Sequence, residues 1–437
     1  MAVEWRQKWG RVRRPARMYL CGAVFMGASF TFPFTLLALY LDHAGYDKPA
    51  VGTVIGGQAW GQMLAALPAA WLASRFNGRR ILSLSAVATA LCYAVLPFMG
   101  PIGVDSLLAI TLANVVTGFA WSVHMVAGAP FLYRHSDGAD RALLFSVSEA
   151  VRMGASVVGA LLAGWLASHL SAWLGDDMVG HAWALSMAGL LPLFATPFYL
   201  AIDDPPPPAS ERPPFLPTIW KHRHLMARFA LPQVWISIGS GLTIPFMSLY
   251  FTERFEFTSD GIGVLFAGGQ VLMSFGFLMT PWILQLAGYV RGVATVQLLS
   301  LPFFLMLAFA TSPAVAVVAF LMRTALMNSA HPLLKTFLME SAPAGLREVQ
   351  NALLMFMWGL GWVVGPVVGG MILERAGGDY SVLMLTTSGM YVVGSCLSYF
   401  CLRGVEGRLA ASKSAGLQAA LPATGAGNPR VPAARQD

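Results

Sequence analysis

The sequence predicts an all-α membrane protein with twelve transmembrane helices arranged as two pseudo-symmetric bundles of six. Three observations carry this prediction. Charged residues make up only 11% of the 437 residues, whereas soluble domains carry about 25%. The mean hydropathy is +0.62, and apolar runs of membrane-spanning length recur along the chain. A proline-rich break near the middle separates these runs into two sets of six.

The apolar runs divide the chain into five segments. A basic N-terminus, residues 1–17, precedes a first bundle, residues 18–201, with spans predicted at 18–41, 50–74, 81–99, 106–133, 143–168 and 182–201. A linker, residues 202–226, contains prolines dense enough to prevent a continuous helix. The second bundle, residues 227–402, has spans predicted at 227–252, 261–287, 291–311, 314–338, 349–373 and 381–402. The tail, residues 403–437, is rich in Ala, Gly, Ser and Pro, which predicts disorder.

The loops between the spans differ in charge. The termini and the even-numbered loops hold most of the 28 Lys and Arg residues, whereas the odd-numbered loops hold ten of the 21 acidic residues and only three basic ones. The positive-inside rule therefore places both termini in the cytoplasm and the chain in the cell inner membrane as a multi-pass protein. The first apolar run is long enough to span a bilayer and lacks a small-residue cleavage site, so we interpret it as a span rather than a cleaved signal.

The same charge distribution limits the partners. The net charge of +7 is explained by the bilayer side that the loops face, so we predict a lipid bilayer and no nucleic acid as partner. The four cysteines lie in apolar runs without metal-binding or redox spacing, which predicts no metal site. We expect a monomer with no cofactor beyond a coupling ion, H⁺.

The two bundles carry an internal repeat. Three short strings of the first bundle recur in the same order and at nearly the same offset in the second: Pro33-Phe34, Leu39-Tyr40 and Gly56-Gly57-Gln58 return as Pro245-Phe246, Leu249-Tyr250 and Gly268-Gly269-Gln270. Farther on, three residues recur at one constant offset: Arg141, Gly159 and Gly164 return as Arg347, Gly365 and Gly370. An ordered series of this kind predicts duplication of one six-helix module.

A basic turn joins the second and third predicted spans at residues 70–80, with the sequence AWLASRFNGRR. It resembles the loop between helices two and three of the major facilitator superfamily, whose pattern is G-x-L-a-D-r-x-G-r-r. Ala70 replaces the first Gly, Ser74 replaces the Asp, and one extra residue separates Arg75 from Arg79. Together with the repeat, this resemblance implies a secondary transporter in which two bundles rock around a midplane site.

The resemblance also implies a cytoplasmic gate. In the family, the acidic residue of this loop contacts the start of span eleven and the loop after span four, but Ser74 carries no charge to do so. We therefore predict that basic side chains of the turn pair with acidic ones from those two places. The predicted gate comprises Arg75, Arg79, Arg80, Arg141 and Glu348, with Asp137 and Asp140 as alternative acidic partners.

Small residues concentrate in the eleventh predicted span, in the sequence GWVVGPVVGG at residues 361–370. Its G-x-x-x-G-P-x-x-G-G spacing is similar to an antiporter motif that drug exporters of the family carry in span five. Small residues four apart let helices approach closely, and a proline bends a helix. Two interpretations stay open, close packing between the halves and a hinge, for Gly361, Gly365, Pro366, Gly369 and Gly370.

Polar side chains inside membrane spans are costly and so indicate function. Arg323 lies near the middle of span ten, which lines the central cavity in the resembled family, and we predict that it contacts substrate. Snorkelling to the interface or pairing with backbone carbonyls is the alternative. Further predicted substrate-binding side chains, each with helix packing as its alternative, are Asn328, Gln58, Gln270, Trp358 and His124.

Glu149 and Arg152 lie three residues apart on one face of span five. Burial raises the pKa of a carboxylate and a nearby cation lowers it, so two interpretations remain. Glu149 carries a coupling proton with Arg152 as its partner, or the two residues form a structural ion pair.

We expect proton-coupled export of a small organic compound that is drug-like, siderophore-like or a metabolite. A sugar or organic-anion importer of the same fold is the alternative, and a non-transporting membrane sensor is a more distant one. A membrane-embedded enzyme is disfavoured because the sequence contains neither H-E-x-x-H nor G-x-S-x-G.

Overall fold

The computed structural model describes residues 13–98, 106–136, 141–204, 223–341 and 347–420. Throughout these residues the regular structure is helical. The first half of the chain contains six long helices: α1 (Arg14–His43), α2 (Lys48–Arg75), α3 (Gly78–Val95), α4 (Ser106–Arg134), α5 (Arg141–Leu174) and α6 (Asp177–Leu200). A 3₁₀ turn, Leu96–Phe98, extends α3.

The second half is divided into more helices than the first. Its helices are α7 (Arg223–Thr243), α8 (Met247–Phe255), α9 (Ser259–Leu278), α10 (Thr280–Leu299), α11 (Leu301–Ala308), α12 (Pro313–Ser341), α13 (Arg347–Arg375) and α14 (Tyr380–Ala420). A 3₁₀ turn around Pro245 joins α7 to α8, so these two helices together form the seventh membrane segment.

The predicted all-α fold with twelve transmembrane segments is confirmed. Eleven helical stretches of the described residues are long and apolar enough to cross a bilayer. The helix outside that set is α2, which has 28 residues but contains Gln58, Gln62 and four glycines. These residues lower its hydropathy without shortening it, and α2 lies between α4 and α13, where lipid contact is reduced.

The turn between the eighth and ninth spans lies at Gly288, inside α10 and directly after the predicted eighth span. The φ of Gly288, 76°, lies in the left-handed region that glycine adopts without strain. The last helix differs from the sequence-based expectation. It continues to Ala420, so the structure places residues 403–420, predicted as part of a disordered tail, in a helix. Ala, Leu, Lys and Arg have high helix propensity, and a helix already formed in the membrane removes the cost of nucleation.

The bundle has two ends. We call the end at which α1 begins the terminal side, and the end at which α1 turns into α2 the distal side. The two halves meet along two helix pairs, α2 with α13 and α5 with α9. A Cβ added to Gly52 would lie 2.1 Å from the Pro366 carbonyl oxygen, and one added to Gly164 would lie 2.4 Å from the Ser259 carbonyl oxygen. Glycine is therefore what permits backbone-to-backbone contact between the halves.

One hydrogen bond is repeated in both halves. The Tyr40 hydroxyl donates to the Pro97 carbonyl oxygen, and the Tyr250 hydroxyl donates to the Leu307 carbonyl oxygen at 2.6 Å. Both members of the second pair follow those of the first at one common offset, the same that separates the two Leu-Tyr strings of the repeat. The repeated contact gives structural support to the duplication that the sequence strings predict.

Candidate functional site

A cavity of about 150 Å³ lies among the helices of the second half, with one side chain, Phe34 of α1, contributed by the first half. Its walls combine aromatic and thioether side chains with a few polar ones. The lining residues used below are Ser240, Phe266, Gln270, Met273, Phe320, Arg323, Thr324, Met327, Asn328, His331, Trp358 and Trp362.

Arg323 supplies the charge of this cavity. Its position in α12 buries it to 4% exposure, and its Nη2 donates a hydrogen bond to the Tyr391 hydroxyl oxygen. The Cζ atom lies 5.0 Å from the centre of the Phe304 ring and 5.6 Å from that of Tyr391. Among the described residues no carboxylate pairs with Arg323, so ring faces, which attract cations, are its main electrostatic contacts.

Tyr391 connects three helices behind the cavity. Its hydroxyl lies 2.9 Å from that of Ser240 on α7 and accepts from Arg323 on α12. About one turn earlier in α14, the Thr387 hydroxyl lies 2.6 Å from that of Thr243. The guanidinium is thus held in a fixed position by a polar network that ties α7, α12 and α14 together.

Four of the six predicted substrate-binding residues line this one cavity. They are Arg323, Gln270, Asn328 and Trp358. The Asn328 amide donates to the Thr324 carbonyl oxygen of its own helix at 2.8 Å, which leaves its amide oxygen for another partner. The Trp358 ring meets the His331 ring edge-on, with centroids 4.9 Å apart.

The other two predicted residues, Gln58 and His124, lie in the first half and do not line this cavity. His124 is fully buried, and its ring nitrogens lie 3.4 Å from the Ser85 hydroxyl and 3.4 Å from the Tyr199 hydroxyl. Its surroundings match the packing alternative for this residue. His124 also borders a second, much smaller cavity, which Arg152 lines as well.

Sequence reasoning missed Tyr391, Phe304 and Ser240, which position the guanidinium. A tyrosine inside an apolar twelfth span was a usable signal, because a membrane-buried hydroxyl requires a hydrogen-bond partner. Nothing local in the sequence points to Phe304, which reaches the site only through the packing of α11 against α12 and α14.

Glu149 and Arg152 form an ion pair on α5. Two nitrogens of Arg152, Nη2 and Nε, donate to Glu149 Oε2 at 2.7 and 2.9 Å. The Glu149 side chain is 66% exposed, so protein atoms contribute little desolvation there. The ion-pair geometry is present, while a coupling role for Glu149 stays a prediction.

The predicted cytoplasmic gate lies largely outside the described side chains. Arg79 and Arg80 are exposed in the first turn of α3, whereas the side chains of Arg75, Arg141 and Glu348 fall outside the described part, as do Asp137 and Asp140. The proposed pairing therefore stays a prediction.

A carboxylate that the sequence analysis did not single out anchors α3 on the terminal side. Asp204, whose side chain is 1% exposed, accepts from the Gly78 backbone N–H at 2.6 Å and from Arg134 Nη2 at 3.1 Å. In the second half Glu406 likewise accepts from the Tyr289 backbone N–H at 2.7 Å. Asp204 lies at the N-terminus of α3, and Glu406 lies at the N-terminal end of the part of α10 that follows the Gly288 turn. Unpaired N–H groups and the helix dipole favour negative charge at such ends.

On the distal side, Lys48 bridges the two halves. Its Nζ lies 2.7 Å from Asp42 Oδ1 and also pairs with Glu253, which accepts from the Tyr380 hydroxyl at 2.9 Å. Burial by itself lowers the pKa of Lys48, but the hydrogen bonds to Asp42 and Glu253 outweigh it, so the pKa is raised. The ammonium form, and with it the bridge, therefore persists throughout the neutral pH range.

A second contact between the halves on this side is less charged. The His181 ring lies 2.9 Å from the Ser259 hydroxyl, and the Ser168 hydroxyl donates to Asp260 at 3.4 Å. In the described part of the chain, the side-chain hydrogen bonds that join the halves are these two and the Lys48–Glu253 contact. All three lie on the distal side.

The small-residue motif of α13 serves two neighbours. Added Cβ atoms at Gly361, Gly365 and Gly369 would lie 1.9 to 2.6 Å from atoms of α7 in the same half. At Gly370 the added atom would lie 2.3 Å from the Lys48 carbonyl oxygen, and Pro366 faces Gly52, so these two residues pack across the interface between the halves. Close packing is thus present along the whole motif, within one half and between the two.

A sequence profile described as Major Facilitator Superfamily matches residues 18–366. Among characterised proteins, the chain is similar to the voltage-gated purine nucleotide uniporter SLC17A9 of Mus musculus, 26% identical over 166 residues. The human protein of that name is 26% identical over 168 residues. These matches cover 37% of this chain and 36% and 37% of the respective relatives, so the chain matches about a third of the length of the curated relatives.

Solved structures show the same fold over most of the chain. The nucleoside transporter NupG matches with a TM-score of 0.70 and 16% identity, over 90% of this chain and 100% of that one. A bacterial homolog of the human lysosomal transporter Spinster, in an inward-facing and unoccupied conformation, matches with a TM-score of 0.69 and 13% identity, over 92% and 97%. The human organic anion transporter MFSD10 matches with a TM-score of 0.61 and 16% identity, over 89% and 99%.

Proposed function

The chain belongs to the Major Facilitator Superfamily, and from this premise we propose that it is a secondary active transporter that moves a small organic compound by alternating access. The observation that carries the proposal is the cavity at Arg323, a polar group inside a membrane bundle where such groups mark transport pathways. The three distal hydrogen bonds between the halves support a conformation closed on that side.

We further propose that the terminal side is cytoplasmic, that the chain resides as a monomer in the cell inner membrane, and that transport is proton-coupled export. The cationic turn at Arg79 and Arg80 supports this orientation by the positive-inside rule. Export is supported by the similarity of the α13 motif to that of antiporters, and in the structure the motif packs closely against both α7 and α2.

Alternating access is tested by labelling one side chain in the cavity. In a cysteine-free background, Phe34→Cys is exposed to a membrane-impermeant maleimide in right-side-out and in inverted vesicles. A transporter that alternates presents this position to each side in turn, so we expect labelling in both vesicle types. Labelling from one side only contradicts the proposal.

A cross-link sharpens this test. Ser168→Cys with Asp260→Cys joins the halves on the distal side, where the native side chains are 3.4 Å apart. With a bifunctional thiol reagent in place, Phe34→Cys should react from the terminal side alone. The matched control joins α7 and α14 within the second half, through Thr243→Cys and Thr387→Cys, and should leave labelling from both sides intact.

Proton coupling is tested at Glu149. A growth screen of deletion and overexpression strains against toxic compounds and nutrients identifies a transported solute. Solute-driven proton movement is then measured in vesicles for the wild type and Glu149→Gln. Loss of proton movement with retained solute exchange assigns the coupling proton to Glu149, and unchanged coupling removes Glu149 from the mechanism.

Import of an organic anion is the second candidate function. The absence of a described carboxylate partner for Arg323 favours it over import of a neutral sugar, and MFSD10 is described as an organic anion transporter. Export predicts solute accumulation in inverted vesicles that are energised by a proton gradient, whereas import predicts accumulation in right-side-out vesicles.

A further inference from the structure

Three hydrogen-bond donors around the cavity have no partner among the described residues. They are Arg323 Nε, Trp362 Nε1 and the Thr324 hydroxyl, all buried. Arginine and tryptophan side chains can only donate, so only an acceptor satisfies them. Unsatisfied donors are costly in a membrane interior, which makes a cavity with surplus donors a site for a ligand rich in acceptors.

The charge of the cavity also favours a ligand that accepts hydrogen bonds, and in particular an anionic one. Arg323 is the only Asp, Glu, Lys or Arg among the described residues that line it. An unpaired buried cation loses its hydration, and attraction to the Phe304 and Tyr391 ring faces recovers only part of that loss. A ligand with one negative charge offsets the remaining cost, while a second negative charge would find no counter-charge there.

The corresponding position in the first half lacks these properties. Asn114, which stands at the matching place in the first copy of the repeat, is neutral and fully buried. Its Nδ2 donates to the Val54 carbonyl oxygen at 2.6 Å, so this side chain fastens α4 to α2. The cation belongs to one copy of the repeat only, so the shared scaffold does not require it.

The remaining walls are apolar and aromatic. Phe34 and Phe266 meet edge to face, with ring centroids 5.4 Å apart, and Met273, Met327 and Trp358 also line the cavity. A cavity of about 150 Å³ holds a benzene-sized ligand. The ligand body is therefore apolar and about as large as one six-membered ring.

We propose that the substrate is an organic monoanion with an apolar body of about one ring, whose carboxylate accepts hydrogen bonds from Arg323 and Trp362. The guanidinium presents its donors as a fork that matches a carboxylate. Tyr391 is a positioning residue that holds Nη2 so that the rest of the fork faces the cavity. The inference rests on the proposed transport function and does not depend on the direction of transport.

Benzoate, benzamide and benzylammonium test the proposal, because they share one ring and differ in charge. Binding to the purified full chain in detergent is measured by titration calorimetry, and thermal unfolding is followed in parallel. We expect saturable benzoate binding at least about tenfold tighter than that of benzamide, with no binding of benzylammonium. Equal affinity for benzoate and benzamide, or no benzoate binding at millimolar concentration, overturns the proposal.

Variants assign the charge preference to Arg323. Arg323→Gln should remove the preference for benzoate over benzamide, and Arg323→Lys should restore part of it by returning the charge without the fork. Ser329→Ala is the control on the same helix, because Ser329 bonds only the Ala325 carbonyl oxygen and does not line the cavity, and it should keep the preference. If Arg323 only braces Tyr391, then Arg323→Gln lowers the unfolding temperature and weakens both ligands equally, which overturns the proposal.

Tyr391→Phe keeps the test decisive if Arg323→Gln does not fold. This variant leaves the guanidinium in place and frees Nη2, so the preference for benzoate should persist with affinity changed by a few-fold. Loss of the preference in Tyr391→Phe contradicts a ligand contact by Arg323. Labelling at Phe34→Cys reports on alternating access without any ligand, so failure of the transport proposal is distinguishable from failure of this one.

Discussion

The helix pairs α2–α4 and α9–α12 are copies of one repeat that pack differently. An added Cβ at Gly61 would lie 1.8 Å from the Val115 carbonyl oxygen, and one at Gly118 would lie 2.0 Å from the Gln58 carbonyl oxygen. The corresponding residues of the second copy are Met273 and Met327, which both line the cavity. Glycines bring the backbones of the first pair together, whereas methionines occupy the same places in the second pair and leave a space beside Arg323.

This difference shows that the two copies share their anchoring contacts and differ in the residues at mid-membrane. The anchoring contacts are repeated, as in the hydroxyl-to-carbonyl bonds of Tyr40 and Tyr250 and the carboxylates of Asp204 and Glu406 at helix N-termini. The residues at mid-membrane have diverged. Asn114 fastens two helices in one copy, while Arg323 presents a charge to a cavity in the other. Five predictions test this contrast, and their substitutions are ordered by expected effect.

Gly118→Ala should have the largest effect on folding. The added methyl group meets backbone rather than a movable side chain, and overpacking of this kind costs about 3 kcal/mol. Gly268→Ala in α9 is the matched control, because its nearest contact is the Leu321 side chain at 3.4 Å. Thermal unfolding in detergent measures both variants. Equal stability would show that the two helix pairs are packed alike.

Asp204→Asn should destabilise the first half more than Glu406→Gln destabilises the second. Removing the charge of Asp204 leaves Arg134 without its buried partner, which costs about 3 kcal/mol, whereas Glu406 is only partly buried and loses about 1 kcal/mol of hydrogen bonding. Denaturant titration of each variant provides the comparison. A larger loss at Glu406 would contradict the view that the first half is the more tightly fastened copy.

Lys48→Gln should open the distal side, with a smaller effect than either anchor variant. Partly exposed ion pairs are worth about 1 kcal/mol or less, which corresponds to about a fivefold shift between conformations. Accessibility of Phe34→Cys from the distal side measures this shift, with Ser259→Ala as the control at the less charged contact. A larger opening in Ser259→Ala would contradict the assignment of Lys48 as the main bridge.

The pH dependence of this bridge has a defined sign. Because the folded-state pKa of Lys48 is raised, its contribution is complete at neutral pH and is lost as pH rises through that raised pKa. Distal labelling in the wild type should therefore stay constant through the neutral range and increase only in alkaline solution. An increase on mild acidification would contradict the assignment of the pH dependence to Lys48.

Arg79→Glu should have the smallest effect, because its side chain is exposed. The predicted gate on the terminal side gives a shift of about twofold in the labelling ratio between the two sides. Arg80→Glu is the neighbouring control for a general change in surface charge. Identical accessibility on both sides in the two variants would remove the charged gate and leave the distal bridge as the only ionic contact assigned a gating role here.

The twelve segments, their division at the prolines and the repeat could be predicted from the amino-acid sequence alone. These features depend on hydropathy and composition within about twenty residues, and lipid requires each segment to satisfy its own backbone hydrogen bonds as a helix. The sequence also singled out Arg323, since one charged residue in an apolar run is visible without any contact.

Three features depend on helix packing: the cavity lies in the second half, Gln58 and His124 do not line it, and Tyr391 holds the guanidinium. Arg323 and Tyr391 are separated by 68 residues, and Gly78 and Asp204 by 126. Whether a polar group contacts a helix backbone or faces a cavity depends on how closely its neighbours pack. In this fold the distance between neighbouring helices depends on the size of the residue at corresponding positions of the two copies, such as Gly61 and Met273. Both residues are apolar, so the sequence pattern does not distinguish them.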